Sequence, residues 1–387
     1  RAVAVLETDD PQRWPLLPDL AETLIGVGDF GSAHAALDEA SAAAERSGNA
    51  RLKASSQLLG MFVRLYGGEQ PQGWSEETLR VCHELIPTLE RDNAHNELAT
   101  AWRLVVLVHG IAGRFSLASD GVARSIAHAR LAGNERLVAR NGLMLAINAL
   151  NGPLPVPQAI AECEQLLSAG LGDRQVECNV MCALAQLKAM NGELDAARLL
   201  YRRSRARLHD LGQGVYAAST GIDLARVELH GGDLALAQCE VQADCDFLSA
   251  KGETYFLSTM AALLARIARD QGHDDEALAL SRTAEQATAA DDMESQALWR
   301  MVRAPILARG GELQQAEHLA RQAVELVRQT ESPMLQADAL AELAAVLTIA
   351  QRDDEAQAHR AEAIALYEAK GNRVMAERCS ALGLRAS

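Results

Sequence analysis

Residues 180–197 read VMCALAQLKAMNGELDAA, and forty residues further on residues 220–237 read TGIDLARVELHGGDLALA. Both end in a turn of the form Gly, polar, Leu, two variable residues, Ala. The same turn opens at Gly28 (GDFGSA), Gly113 (GRFSLA), Gly272 (GHDDEA) and Gly311 (GELQQA), with a degenerate copy at Gln351 (QRDDEA). Successive copies lie 85, 79, 40, 40, 39 and 40 residues apart, so each long gap hides one repeat, whose turns are expected at Gly67-Gly68 and Asn151-Gly152. A second track of turns follows twenty residues after the first, at Gly48, Gly133, Gly172, Gly212, Gly252 and Gly371. Glycine suits the left-handed residue that closes a helix. Between the tracks, apolar residues recur at three- and four-residue spacing, as in LSTMAALLARIA (257–268), which is the period of an amphipathic helix. Each period is therefore one helix hairpin. The sequence predicts an all-α solenoid of about nine antiparallel hairpins, each touching only its neighbours, wound as a right-handed superhelix.

Aligning the clear copies on the turn shows what packing demands. Seven residues before it stand Ala21, Val106, Ala185, Ala225, Ala265, Ala304 and Ala344. Five after it stand Ala33, Ala118, Ala197, Ala237, Ala277, Ala316 and Ala356. One small site falls on each helix of the hairpin, where the two backbones approach. Eight before the turn comes a large apolar residue (Leu20, Val105, Leu184, Leu224, Leu264, Leu343), replaced once by Arg303. A further small residue follows at Ala40, Ser125, Ser204, Ala284, Ala323 and Ala363.

This Leu-small, Ala, small pattern resembles the tetratricopeptide repeat. The period of about 40 exceeds that family's 34, the early Trp is sporadic and the closing Pro is absent. The longer helices resemble MalT-like repeats of bacterial signal-transduction ATPases, LuxR-type regulators and cyclase-ATPase-repeat proteins; the last hairpin, beginning ADALAELAAVLTIA (337–350), looks especially like the last of these. The resemblance covers nearly the whole chain, 1–387. It implies that residues 1–10 are the tail of a preceding repeat helix, that 373–385 form a capping helix, and that ATPase and output domains lie outside this segment.

Composition fits such an array. The 387 residues are 49% hydrophobic but only 4% aromatic, which thin layers of Ala and Leu tolerate and a deep core does not. The net charge of −15 repels phosphate backbones and anionic lipids, and the four lysines are scattered, so no direct nucleic-acid or membrane partner is expected. The longest apolar run, Leu104 to Val108, is far too short to span a bilayer. Seven cysteines without a CxxC pair read as reduced core thiols of a cytoplasmic protein. Cys178 and Cys182, one helical turn apart, read as core thiols sooner than as metal ligands. The sequence holds no phosphate-binding loop, HExxH, GxSxG or EF-hand loop. No catalytic residue, cofactor or metal is expected, and the chain reads as a non-enzyme.

What a solenoid offers is a concave groove lined by first helices. If the positions eight and twelve before the turn face the core, those thirteen, nine, six and two before it form a neighbouring stripe. That stripe holds Asn179, Gln186, Asp223, Arg226, His230, Arg266 and Asp270, and suits an extended peptide, a partner helix or an adjoining domain of the same polypeptide. Pro305, inside a helical pattern, suggests a bend at which Arg300 and Arg303 would hold an anionic group or a neighbouring domain. The Pro-rich GPLPVP (152–157) and the GGEQPQGW (67–74) stretches suggest insertions on one edge. The expected function is a regulatory protein- or peptide-binding arm of a larger bacterial regulator. A free-standing scaffold and a small-molecule inducer sensor are the alternatives.

Overall fold

A computed structural model describes residues 2–7, 10–67, 73–170 and 172–384. Gly68 and most of the 67–74 stretch, Arg1, residues 8 and 9 of the expected N-terminal tail, and Arg385 of the expected 373–385 capping helix lie outside them. The described residues contain helices and no strand, arranged as nine hairpins. Their first helices run from Leu17–Val27 and Ala50–Tyr66 through Arg174–Met190 to Pro333–Ile349; their second helices run from Phe30–Ser47 to Asp353–Lys370. A short helix, Ala2–Val5, precedes the array, and Arg373–Leu384 follows it.

The turn glycines do the work the sequence assigns them. Gly28, Gly113, Gly192, Gly232, Gly272 and Gly311 all have φ between 66° and 89°, as do the six second-track glycines between 65° and 83°. Gln351 takes the same conformation (φ 59°) in the degenerate copy, and Asn93 (φ 50°) closes a second-track turn that holds no glycine. The small sites are sealed: each alanine seven before or five after the turn is at most 1% exposed. Where Val106 replaces alanine, Gly121 faces it; a Cβ there would stand 2.8 Å from Val106 Cγ2. Bulk added on one helix is removed from the other.

Two irregularities differ from expectation. Helix Met293–Arg309 runs through Pro305 without interruption, with Pro305 buried. Arg303 turns away from the core and donates to Ser281 Oγ (2.8 Å) while pairing with Glu285 (2.7 Å). Ser281 makes room: the equivalent position holds Leu37, Val122, Tyr201 and Val241 in four other hairpins. The break falls instead in the sixth hairpin, whose first helix is split into Gly214–Ser219 and Gly221–Gly231. There the recurring small site is occupied by Asp244, 4% exposed, held by both Nη atoms of Arg205 at 2.7 Å. A Cβ on Gly221 would meet Asp244 Oδ2 at 2.6 Å, and Arg205 also donates to the Ala217 carbonyl (3.2 Å). A carboxylate forced into the tightest contact of a hairpin opens the helix opposite, and the arginine that neutralises it satisfies a carbonyl beside the break.

The largest departure concerns the array as a whole. First helices of consecutive hairpins pack on one another as an inner layer, and hairpins five apart also meet. Leu17–Val27 touches Gly214–Ser219, Ala50–Tyr66 touches Tyr255–Asp270, and Arg174–Met190 touches Arg373–Leu384. The Gly113 turn accepts a hydrogen bond from Glu331 N (2.8 Å), and Glu331 Oε2 accepts from Ser116 N (2.6 Å). Lys370, 0% exposed, donates to the carbonyls of Ala149, Gly152 and Leu154 at 2.7–2.8 Å. The proline-rich stretch explains this last contact: the residue whose amide would cap the Ala149 carbonyl is Pro153, which has no N–H, and Pro155 and Pro157 remove two more donors. GPLPVP therefore docks on the chain's own ninth hairpin. The superhelix closes on itself instead of touching only neighbour to neighbour.

Candidate functional site

Closure turns the expected groove into a partly open cavity of about 310 Å³ inside the superhelix, walled by first helices of hairpins two to seven and by the connections into hairpins eight and nine with the first turns of their helices. A smaller chamber of about 70 Å³ adjoins it and shares Gln186, Arg226 and Glu294 with it. The wall has two characters. Hairpins three and four present Leu107, Ile111, Leu143, Met144 and Ile147, with Asn148 and Asn151 at the end of the last helical turn. Hairpins five to eight present Asn179, Gln186, Asp223, Arg226, Thr259 and Glu294.

The polar side is a connected network. Gln186 Nε2 donates to Asp223 Oδ1 (2.6 Å), its Oε1 accepts from Arg226 Nη1 (3.4 Å), and Arg226 pairs with Glu294. The backbone carbonyl of Arg226 accepts from His230 Nδ1 (2.7 Å), leaving Nε2 as the acceptor for Asn372 Nδ2 (3.0 Å). Burial lowers the pKa of the imidazole and favours its neutral form, and the Nδ1 bond to the Arg226 carbonyl opposes this only in part. Arg266 in the second chamber pairs with Asp338 (2.9 Å), which also accepts from Tyr367 (2.5 Å). Asp223 and Asp292 make no such ion pair among the described residues; enclosure by protein pushes each carboxyl up to about 6.

Of the nine residues singled out from sequence, Asn179, Gln186, Asp223 and Arg226 line the main cavity, and His230 and Arg266 line the smaller chamber with Gln186 and Arg226. Asp270, Arg300 and Arg303 line neither. Asp270 is exposed and pairs with Arg269 (2.8 Å), while Arg300 and Arg303 lie 4.0 and 4.5 Å from the Trp299 ring centre, held on their own helix and against the preceding hairpin. Six of the seven cysteines are buried and all are free; Cys239 is exposed, since its helix position faces outward.

Sequence reasoning missed the aromatic wall. The chain has only five tyrosines and five phenylalanines, yet Tyr66, Tyr216, Tyr255 and Phe256 converge on the cavity with ring centres 5.0–6.5 Å apart. They come from hairpins two, six and seven, which meet only because the superhelix closes. The signal available was scarcity: in an alanine-packed array, an aromatic is placed where an unusual gap must be filled.

No family model matches the chain, and no curated protein matches it. Solved structures do. A Rap protein complexed with Competence and Sporulation Factor is similar over 94% of this chain and 99% of its own, with a TM-score of 0.63 and 12% identity. The fold is that of a tetratricopeptide-like helical repeat array. The apo quorum sensor NprR of B. thuringiensis aligns with 72% of this chain and 77% of its own (TM-score 0.45, 15% identity). A signal-transduction ATPase with a tetratricopeptide repeat sensor from Pyrococcus horikoshii aligns with 86% of this chain and 55% of its own (TM-score 0.48, 13% identity). Among the described residues no helix is long and apolar enough to cross a membrane, and no group of three or more His, Cys, Asp or Glu is placed to hold a metal ion.

Proposed function

We propose that this chain is a peptide-binding regulatory solenoid that takes its ligand into the interior cavity, and that it serves as the sensor arm of a larger cytoplasmic regulator of the bacterial cyclase-ATPase-repeat or LuxR type, with ATPase and output domains outside it. The observation that carries the reading is the position of the cavity. It lies where successive turns of the superhelix meet, so one ligand touches hairpins far apart in sequence and favours one winding of the array over another. Amide side chains suit the exposed N–H and C=O groups of an extended peptide, and the apolar side suits its side chains. A Rap array of similar shape holding Competence and Sporulation Factor supports the same reading. A second reading, a small-molecule inducer, is favoured by the size of the cavity, at the lower end of the roughly 300–1,000 Å³ usual for ligand pockets.

The test is selection from a random heptapeptide display library on the immobilised protein, followed by calorimetry. A recovered peptide should bind Asn179→Trp, whose indole projects into the cavity, at least tenfold more weakly, with an unchanged helical circular dichroism spectrum. Failure to recover any peptide, or equal affinity for the two proteins, refutes the proposal.

A further inference from the structure

The ligand's chemistry is constrained by what the main cavity lacks. Its charged lining consists of Asp223, Asp292, Glu294 and a single cation, Arg226. Arg226 is committed to Glu294 and lends its remaining Nη1 to Gln186, so no guanidinium or ammonium is left to receive an anion. Asp223 accepts from Gln186, and Asp292 accepts from Ser295 N (3.0 Å) and Ser258 Oγ (3.4 Å); all three donors are neutral, so neither carboxylate has an ion-pair partner among the described residues at the cavity wall. Five aromatic residues, Tyr66, Phe115, Tyr216, Tyr255 and Phe256, line the same space, and the faces of aromatic rings attract cations. The aliphatic lining from hairpins three and four offers nothing to a charge and accommodates apolar groups.

Resting on the reading that the cavity holds a peptide, we infer that its ligand is a short peptide carrying a basic side chain flanked by aliphatic ones, with the basic group beside Asp223 and Asp292 and the aliphatic groups against hairpins three and four. An acidic peptide would put its carboxylate beside three others with no free cation to meet it. The overall charge of −15 adds a long-range field that draws cationic ligands toward the protein and repels anionic ones.

Peptides recovered from the heptapeptide library should be enriched in Lys or Arg flanked by Leu, Ile or Val. Replacing the basic residue of a recovered peptide by Gln should weaken binding at least tenfold, and replacing it by Glu should weaken it further. Argininamide alone, which reaches the acidic residues without the aliphatic ones, should bind at least tenfold more weakly than the peptide. In the double variant Asp223→Asn, Asp292→Asn, which keeps side-chain shape and capping ability, the preference for Arg over Gln should fall below twofold. Recovered peptides without basic enrichment, or an Arg preference that survives in the double variant, overturn the inference while leaving peptide binding intact. A library that yields no binder overturns both. The comparison of Arg, Gln and Glu peptides on the unaltered protein decides the matter even if the double variant does not fold.

Discussion

Replacing Lys370 by methionine removes an ammonium from three backbone carbonyls while leaving an apolar stem of similar length in place. The carbonyls of Ala149, Gly152 and Leu154 then lose their donor in a segment whose prolines supply none. A buried acceptor left unsatisfied costs about 1–3 kcal/mol. Burial lowers the Lys370 pKa to about 8, so desolvation already opposes the charged form and offsets part of that gain. The expected net loss is about 3 kcal/mol, felt where the ninth hairpin meets the fourth. Hydrogen exchange followed by mass spectrometry reads it directly. Amides of Arg373–Leu384 and of the C-terminal end of Glu135–Asn151 should exchange on the order of a hundredfold faster, whereas hairpins one and two should change little. Lys53→Met, at an exposed lysine, serves as the control. If Lys370→Met alters exchange in neither segment by more than about fivefold, corresponding to ~1 kcal/mol, the closed superhelix is not held in the way described.

Two further perturbations probe packing and charge. Ala225→Leu inserts bulk where the sixth hairpin's helices touch, and should lower stability by roughly 1–3 kcal/mol in urea titration, against at most about 1 kcal/mol for Glu285→Gln, an exposed residue that loses only a surface ion pair with Arg303; equal midpoints would mean that the small-site alignment is wrong. Glu253 is 0% exposed and its carboxyl is pushed up to about 8 by burial, although it accepts from Phe256 N and Leu257 N. Between the unfolded pKa near 4.5 and the folded value near 8, the folded state binds a proton that the unfolded state releases, so this group's contribution to stability falls as pH rises. Glu253→Gln should therefore gain on the parent by up to about 3 kcal/mol between pH 5.5 and pH 8. A stability difference that does not change across that window contradicts the assignment.

The hairpins were legible because their determinants are local and repeated. A residue in the left-handed region, glycine in six copies and Gln351 in the seventh, recurs with small residues at fixed offsets, alanine everywhere but Val106, and each copy forms a hairpin. The inner stripe followed from helical geometry, and six of the nine residues chosen from sequence do reach the interior. Arg300 and Arg303 were chosen for charge next to a proline, away from that stripe, and they pack elsewhere. The helix break at Thr220 has a single local trace in the sequence, the carboxylate Asp244 at a position where the other six copies hold Ala or Ser. The closure left almost none, because Lys370 and the carbonyl of Ala149 are 221 residues apart and meet once, so no period announces them. The interior cavity and its aromatic wall exist only through that closure, which is why the site was foreseen as an open groove.

Contacts between hairpins five apart also change how the molecule comes apart. In an open array each unit leans on two neighbours, so stability is nearly a sum of unit and interface terms and the ends fray first. Here the ninth hairpin leans on the fourth and the sixth on the first, so the array behaves as a lattice rolled into a cylinder. Removing a terminal hairpin uncovers surface in the middle of the chain, and unfolding of either end is penalised from the far side of the molecule.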